Sequence, residues 1–271
     1  MRQARVISPN VTVGTWLNDL WKYRNVLLAL CHRDIKGKYK QAFLGITWAA
    51  IQPVIQVGLF TLVFKGVAKV DTPAPYPLFV LTGLLPFNLF QQIVGMGTPA
   101  FVSAQSIVSK VYFPRLYTVI AGSSSALLNG AITLTILTAT LIGFRQSVSA
   151  RLILAVPMMV GVLLLSLGLA AVLSAVNARF RDVQHALPLM MSVLIYVSPV
   201  LYPLESVPGA VRPLVLLNPV TGLVDGLRFA IIGVEPYSWW LVVGALAASV
   251  CAFVSGVWFF ERTQAKSVDI L

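Results

Sequence analysis

The chain has 271 residues, of which 58% are hydrophobic and only 11% are charged, and its mean hydropathy is +0.84. This composition excludes an ordinary soluble globular domain, because so few polar residues could not cover its surface. The formal net charge is +11, but the basic residues are spread over the segments between apolar stretches, so nucleic acid is not expected as a partner.

Six stretches of 22 to 38 residues contain no Asp, Glu, Lys or Arg. About 20 apolar residues in a helix cross the ~30 Å hydrocarbon core of a bilayer, and a helix satisfies its own backbone hydrogen bonds there. The sequence therefore predicts an all-α membrane protein with a transmembrane domain at 41–260. Its six predicted spans are 42–64, 78–99, 117–143, 152–177, 183–204 and 236–260.

Residues 1–40 form a predicted N-terminal region with an amphipathic helix. From Trp16 to Ile35, polar and apolar side chains recur on opposite faces at helical spacing, which is typical of a helix in the membrane interface. Arg33, Lys36 and Lys38 follow, where they would lie beside anionic headgroups. Charges that only set the topology would show the same pattern.

The distribution of Lys and Arg predicts the orientation. If both termini are cytoplasmic, 14 of these residues lie inside and 6 outside, which satisfies the positive-inside rule. We therefore expect residues 261–271 to form a cytoplasmic tail.

The second uncharged stretch, 72–109, is too long for one crossing and too short for two. We predict a crossing at Leu78–Thr98, broken by Pro86 and Pro99, and then a short cytoplasmic helix at Ser103–Val111 that Pro114 stops. The sequence KVYFPR at 110–115 mixes aromatic and cationic groups, which suits docking to another protein. An ordinary cytoplasmic loop could have the same composition.

The segment between the fifth and sixth predicted spans contains two apolar pieces, 213–224 and 229–234, each too short to cross. Proline and glycine interrupt them, which favours a re-entrant hairpin buried in protein or lining a cavity. Asp225 and Arg228 lie three residues apart and could neutralise each other on one helix face. The alternative is a loose periplasmic loop.

The energy source is constrained by what the uncharged stretches lack. They carry no ionisable carboxylate or amine that would couple a proton or sodium ion. The Gly37-Lys38 pair is not preceded by a glycine at the spacing of a phosphate-binding loop. Any energy for transport should therefore come from a partner.

Ten short motifs or single residues follow one another along nearly the whole chain. They are LWKYR at 20–24, RDIK at 33–36, Tyr39, LG at 44–45, Trp48, GLLPF at 83–87, KVYFPR at 110–115, RFRDV at 179–183, SPVLY at 198–202 and NP at 218–219. In this order and spacing the chain resembles the membrane subunit of type-2 ABC exporters of lipid-linked polysaccharide, such as O antigen, capsule or teichoic acid. The resemblance implies a homodimer in the bacterial inner membrane, with two separate ATP-binding subunits that bind ATP and Mg. This chain itself would carry no cofactor and no enzymatic activity.

The resemblance also suggests roles for individual residues. Four residues would belong to the surface that couples to the ATPase: Arg24, Lys110, Phe113 and Arg115. The basic residues Arg33, Lys36 and Lys38 would draw in the lipid phosphate.

A passing glycan needs a lining that contacts sugars without holding them tightly, and aromatic faces provide one. The candidates are Phe60, Phe64, Tyr196 and Tyr202, because they lie near the outer ends of the first and fifth predicted spans. Aromatic belts, however, anchor membrane proteins at this depth regardless of function. Two other functions stay open: export of a small amphipathic compound such as a drug, and a membrane-embedded enzyme or scaffold without transport.

Overall fold

The computed structural model describes residues 21–40, 45–108, 113–147 and 149–267, except for the side chains of 264–267. All regular structure in this part of the chain is helical. The α-helices are α1 (Arg24–Tyr39), α2 (Trp48–Phe60), α3 (Tyr76–Ser103), α4 (Gln105–Val108), α5 (Leu116–Gly122), α6 (Ser124–Gly143), α7 (Ala155–Arg179), α8 (Val183–Val197), α9 (Arg212–Leu217), α10 (Pro219–Ile232) and α11 (Trp239–Ser267). Three 3₁₀ turns (Gly45–Thr47, Ala150–Leu154, Leu204–Ser206) and a π-helical segment (Thr61–Val67) join or extend them.

Five helical segments are long and apolar enough to cross a membrane: Gly45–Val67, Tyr76–Ser103, Leu116–Gly143, Ala150–Arg179 and Trp239–Thr263. They coincide with five of the six predicted spans. At the predicted span 183–204 the structure has α8, whose 15 residues reach only about 22 Å at 1.5 Å per residue. The backbone leaves the helical conformation at Ser198, so a full crossing here remains a prediction.

Helix α3 is the central helix of the bundle, buried along most of its length and in contact with α2, α5, α6, α7, α8 and α10. The predicted break at Pro86 and Pro99 is wrong, because both prolines lie inside one continuous helix of 28 residues. A proline removes one backbone hydrogen bond, but neighbouring helices can compensate for this in a membrane. The rule that a proline breaks a helix applies to helices that lack such neighbours.

Helices α7 and α11 form the most extensive helix pair. Their backbones meet at Gly168 and Gly256: a Cβ at Gly168 would overlap the Ala252 carbonyl, and one at Gly256 would overlap the carbonyl of Gly168. Small residues allow such close approach, which supplies the van der Waals contact that holds helices together in lipid.

Helices α9 and α10 occupy the segment predicted to be re-entrant. Pro219 opens α10, the Asn218 side chain caps it by accepting a hydrogen bond from the Val220 N–H, and Gly233 ends it with a left-handed φ of +74°. Gly222 lies inside α10 and does not interrupt it: a Cβ there would lie 2.5 Å from the Leu241 carbonyl oxygen of α11. This glycine therefore lets α10 pack closely on α11.

Candidate functional site

Helix α1 packs against Ile107, Val108 and Phe113 at one end of the bundle. Leu30 of α1 lies in a small apolar cluster with Phe113, Tyr117 and Ala121. Phe113, predicted to lie on a docking surface, is only 4% exposed, so it cannot offer its ring to another protein. Instead it packs between Leu30 of α1 and Tyr117 and Ala121 of α5.

The other predicted coupling residues are placed as follows. Arg24 is exposed, and its guanidinium lies 4.9 Å from the centre of the Trp21 ring. Arg115 is partly buried at the N-terminus of α5. Lys110 lies outside the described residues. Two of the four predicted residues thus reach the surface of the α1 end.

A cleft of about 480 Å³ lies between α1, the end of α3 and the start of α6; we call it the inner cleft. Arg33 and Lys38 line it, whereas Lys36 does not. Arg33 forms an ion pair with Asp34 at 2.7 Å, and partial burial lowers the pKa of Lys38. The structure therefore brings together two of the three basic residues predicted to meet lipid phosphate.

A second cleft, of about 680 Å³, lies at the opposite end of the bundle; we call it the outer cleft. Three of the four predicted channel aromatics, Phe64, Tyr196 and Tyr202, line it. The fourth, Phe60, contacts the Phe64 ring edge to face, with ring centres 6.2 Å apart. Phe64 belongs to the π-helical segment, a distortion that often marks functional sites.

Asp225 and Arg228 form no direct salt bridge with each other within the described residues, although their opposite charges still attract each other. The Arg228 guanidinium donates to the carbonyl oxygens of Pro199 (2.6 Å) and Val200 (2.7 Å) and lies 3.6 Å from the centre of the Phe79 ring. The Asp225 carboxylate accepts from the Tyr237 N–H at 2.7 Å. Both side chains bond backbone that is distant in sequence, although the buried Arg228 Nε has no hydrogen-bond partner among the described residues. The spacing of three residues could not reveal these contacts.

The sequence interpretation also missed a set of carboxamides, since it searched the uncharged stretches only for Asp, Glu, Lys and Arg. Asn88 Nδ2 donates to Gln56 Oε1 at 2.9 Å, and Asn129 Nδ2 donates to Gln92. Asn129 in turn accepts from the Tyr39 hydroxyl of α1. Counting Asn and Gln within the predicted spans would have found them.

The chain matches the ABC-2 type transporter family over residues 25–232, which is most of its length. It belongs to this family. The matched range runs from α1 to the end of α10 and contains both clefts.

Within this ABC-2 type transporter family, the chain is similar to O-antigen export system permeases named RfbA. It is 29% identical to the Myxococcus xanthus protein over 214 residues, covering 78% of this chain and 82% of the relative. It is 24% identical to a Klebsiella pneumoniae RfbA over 205 residues, covering 75% and 79%. The Escherichia coli polysialic acid transport protein KpsM is 24% identical over 208 residues, covering 75% and 80%.

Proposed function

We propose that this chain is the permease subunit of an ATP-driven exporter that moves lipid-linked polysaccharide, O antigen or similar, across the cytoplasmic membrane. The observation that carries the proposal is the similarity, over three quarters of the chain, to permeases of O-antigen and polysialic acid transport. Export of a small amphipathic drug is the weaker alternative, because these relatives are named for polysaccharide transport.

The architecture we propose has six spans, with α8 and the turn after it as the fifth, and both termini in the cytoplasm. The excess of Lys and Arg in the segments on the α1 side supports this orientation. Helix α1 would lie in the interface: Trp21 and Leu28 are exposed beside its charged residues. Helices α9 and α10, too short to cross, would form the re-entrant hairpin that closes the periplasmic end.

The proposed assembly is a homodimer with two copies of a separate ATP-binding subunit, which would hold ATP and Mg. Little of the first span is buried within one copy, and this supports a neighbour against that helix. Arg24, Lys110 and Arg115 would meet the ATPase. Phe113, buried between α1 and α5, would transmit the force from that contact to the bundle.

The proposed path starts at the inner cleft and ends at the outer one. Arg33 and Lys38 would attract the phosphates of the lipid carrier, because they present cationic donors beside the end of α3. Tyr196 and Tyr202 would contact sugar rings in the outer cleft, where their ring faces tolerate many sugars.

Reconstitution tests this function directly. When the chain is placed in proteoliposomes with the ATP-binding protein encoded beside its gene, we expect ATP-dependent movement of an undecaprenyl-linked polysaccharide. A fluorescent amphipathic drug serves as the competing cargo. Transport of the drug alone, or of glycolipid without ATP, would refute the proposal.

Charge reversal at the α1 end should uncouple the exporter. We expect the double variant Lys110→Glu, Arg115→Glu to lose at least about tenfold of ATP-dependent export, because juxtaposed like charges cost several kcal/mol at an interface. Co-purification of the ATPase and ATP hydrolysis per exported chain measure the effect.

Arg145→Glu is the control: it reverses one charge, against two in the double variant, at an exposed position in the loop after α6. Thermal stability of all the variants separates uncoupling from misfolding. A stable double variant that keeps the ATPase bound and exports normally would contradict the proposed coupling surface.

A further inference from the structure

Carboxamide side chains of three membrane-crossing helices meet between the two clefts. Asn88 of α3 bonds Gln56 of α2, and one helical turn away Gln92 of α3 bonds Asn129 of α6. We call these four residues the amide track. All four are neutral, and each can both donate and accept hydrogen bonds.

The inner end of the amide track opens into the inner cleft. Met96 lies one turn beyond Gln92 on α3, and Ser125 lies one turn before Asn129 on α6. Both Met96 and Ser125 line the inner cleft, and the Ser125 hydroxyl donates to Met96 Sδ at 3.0 Å. The track therefore continues the surface that carries Arg33 and Lys38.

The outer end of the track leads to the outer cleft along α2. Gln56, Phe60 and Phe64 follow one another at intervals of four residues, so they lie along one side of the first span. Phe60 and Phe64 are in ring contact, and Phe64 lines the outer cleft. One side of α2 and one side of α3 thus join the two clefts.

The amides cannot face lipid without cost. Gln56, Asn88 and Gln92 are partly exposed, and each makes one hydrogen bond through one of its two polar atoms within the described part of the chain. Their remaining polar atoms are not among the buried unpartnered ones. Exposing such an amide to hydrocarbon costs about 2 kcal/mol or more, so a polar occupant should face the track.

A glycan fits this surface better than a second copy of the chain. The track runs between a cleft with cationic groups and a cleft with aromatic groups, which suits a molecule with an anionic end and sugar rings. Sugar hydroxyls donate and accept as amides do, so a hydroxyl can replace the partner amide in each pair at small net cost. Neutral amides hold no single sugar strongly, which permits movement.

We infer that the amide track is the mid-membrane part of the export path, where Gln56, Asn88, Gln92 and Asn129 hydrogen-bond the hydroxyls of the passing polymer. The inference rests on the proposed function and adds the residues that contact the cargo. In the structure the amides bond one another, and a hydroxyl of the passing polymer would take the place of one partner in each pair.

Thiol labelling tests the inference. The chain has two cysteines, Cys31 and Cys251, and both are replaced by serine. Single cysteines are then introduced as Asn88→Cys and Gln92→Cys, with Leu134→Cys, half exposed on α6 and outside the track, as the control. A membrane-impermeant methanethiosulfonate is applied to the complex with its ATPase, first without polymer and then with polymer stalled by vanadate.

We expect both track cysteines to react at least about tenfold faster than the control, because a thiolate forms in a hydrated site and not in hydrocarbon. Stalled polymer should slow that labelling at least about fivefold by occupying the site. Labelling as slow as the control, or unaffected by polymer, overturns the inference.

Export by the unmodified complex is measured in the same membranes, so that the two failures are distinguishable. If that complex exports polysaccharide while the track cysteines stay unreactive, the track is interhelical packing and only the inference fails. If it exports no polysaccharide, the proposed function fails and the inference fails with it.

Discussion

Replacing Arg228 with methionine should destabilise the bundle by roughly 3 kcal/mol. The side chain is 2% exposed and donates to the carbonyls of Pro199 and Val200. Methionine fills much of the volume but donates nothing, so two carbonyls in a water-poor interior lose their partners. The desolvation cost that is relieved by removing the charge does not compensate, because backbone acceptors cannot be removed with it.

The denaturation midpoint of the detergent-solubilised protein measures this loss. Arg228→Lys should recover only part of the stability, since one ammonium group cannot reproduce the planar fork that reaches both carbonyls. Arg262→Met is the control: Arg262 also stacks on an aromatic ring, that of Trp258 at 4.1 Å, but it is exposed. If the Arg228 and Arg262 variants lose equal stability, the carbonyl contacts do not matter.

Replacing Gly168 with alanine should separate α7 from α11 and cost about 2 kcal/mol or more. The added Cβ would overlap the Ala252 carbonyl. That neighbour is backbone and cannot rotate away, so the two helices must move apart. Because van der Waals contact drives helix association in lipid, the pair loses contacts along its whole length.

Gly244→Ala is the matched control, because a Cβ at Gly244 on α11 meets nothing within 4 Å. Alanine favours a helix over glycine by up to about 1 kcal/mol, so this variant should be neutral or slightly more stable. The two variants are compared by the yield of monodisperse protein and by the midpoint of unfolding. A Gly168→Ala protein as stable as the Gly244→Ala protein would show that the crossing is looser than the structure has it.

The spans were predictable because lipid acts on each helix separately. Every helix in hydrocarbon must be apolar over about 20 residues, whatever its neighbours, so absence of charge identified the five helical segments that are long and apolar enough to cross. Helix α8 is shorter than its uncharged stretch because the chain turns at Ser198 and Pro199. The absence of charged residues marks an apolar stretch, but it does not show where the helix within that stretch ends.

The errors share one cause: spacing along the sequence shows which residues are neighbours within one helix, but not which distant residues pack against them. Asp225 and Arg228 are close in sequence, yet their partners lie 12 and 28 to 29 residues away. Phe113 belongs to a segment whose composition is typical of an exposed docking surface, but its side chain packs against α1. Pro86 would end an isolated helix, whereas in α3 it lies fully inside the bundle.

The sequence by itself determined the membrane location, the helical class, five segments able to cross the membrane and the resemblance to polysaccharide exporters, because composition and short motifs act within one segment at a time. Only the tertiary structure decided which polar groups meet, namely the pairing of Asn88 with Gln56 and the carbonyls that hold Arg228. It also decided that Phe113 is buried. In a membrane the choice of partner for each polar group depends on how helices distant in sequence cross, and no single helix carries that information.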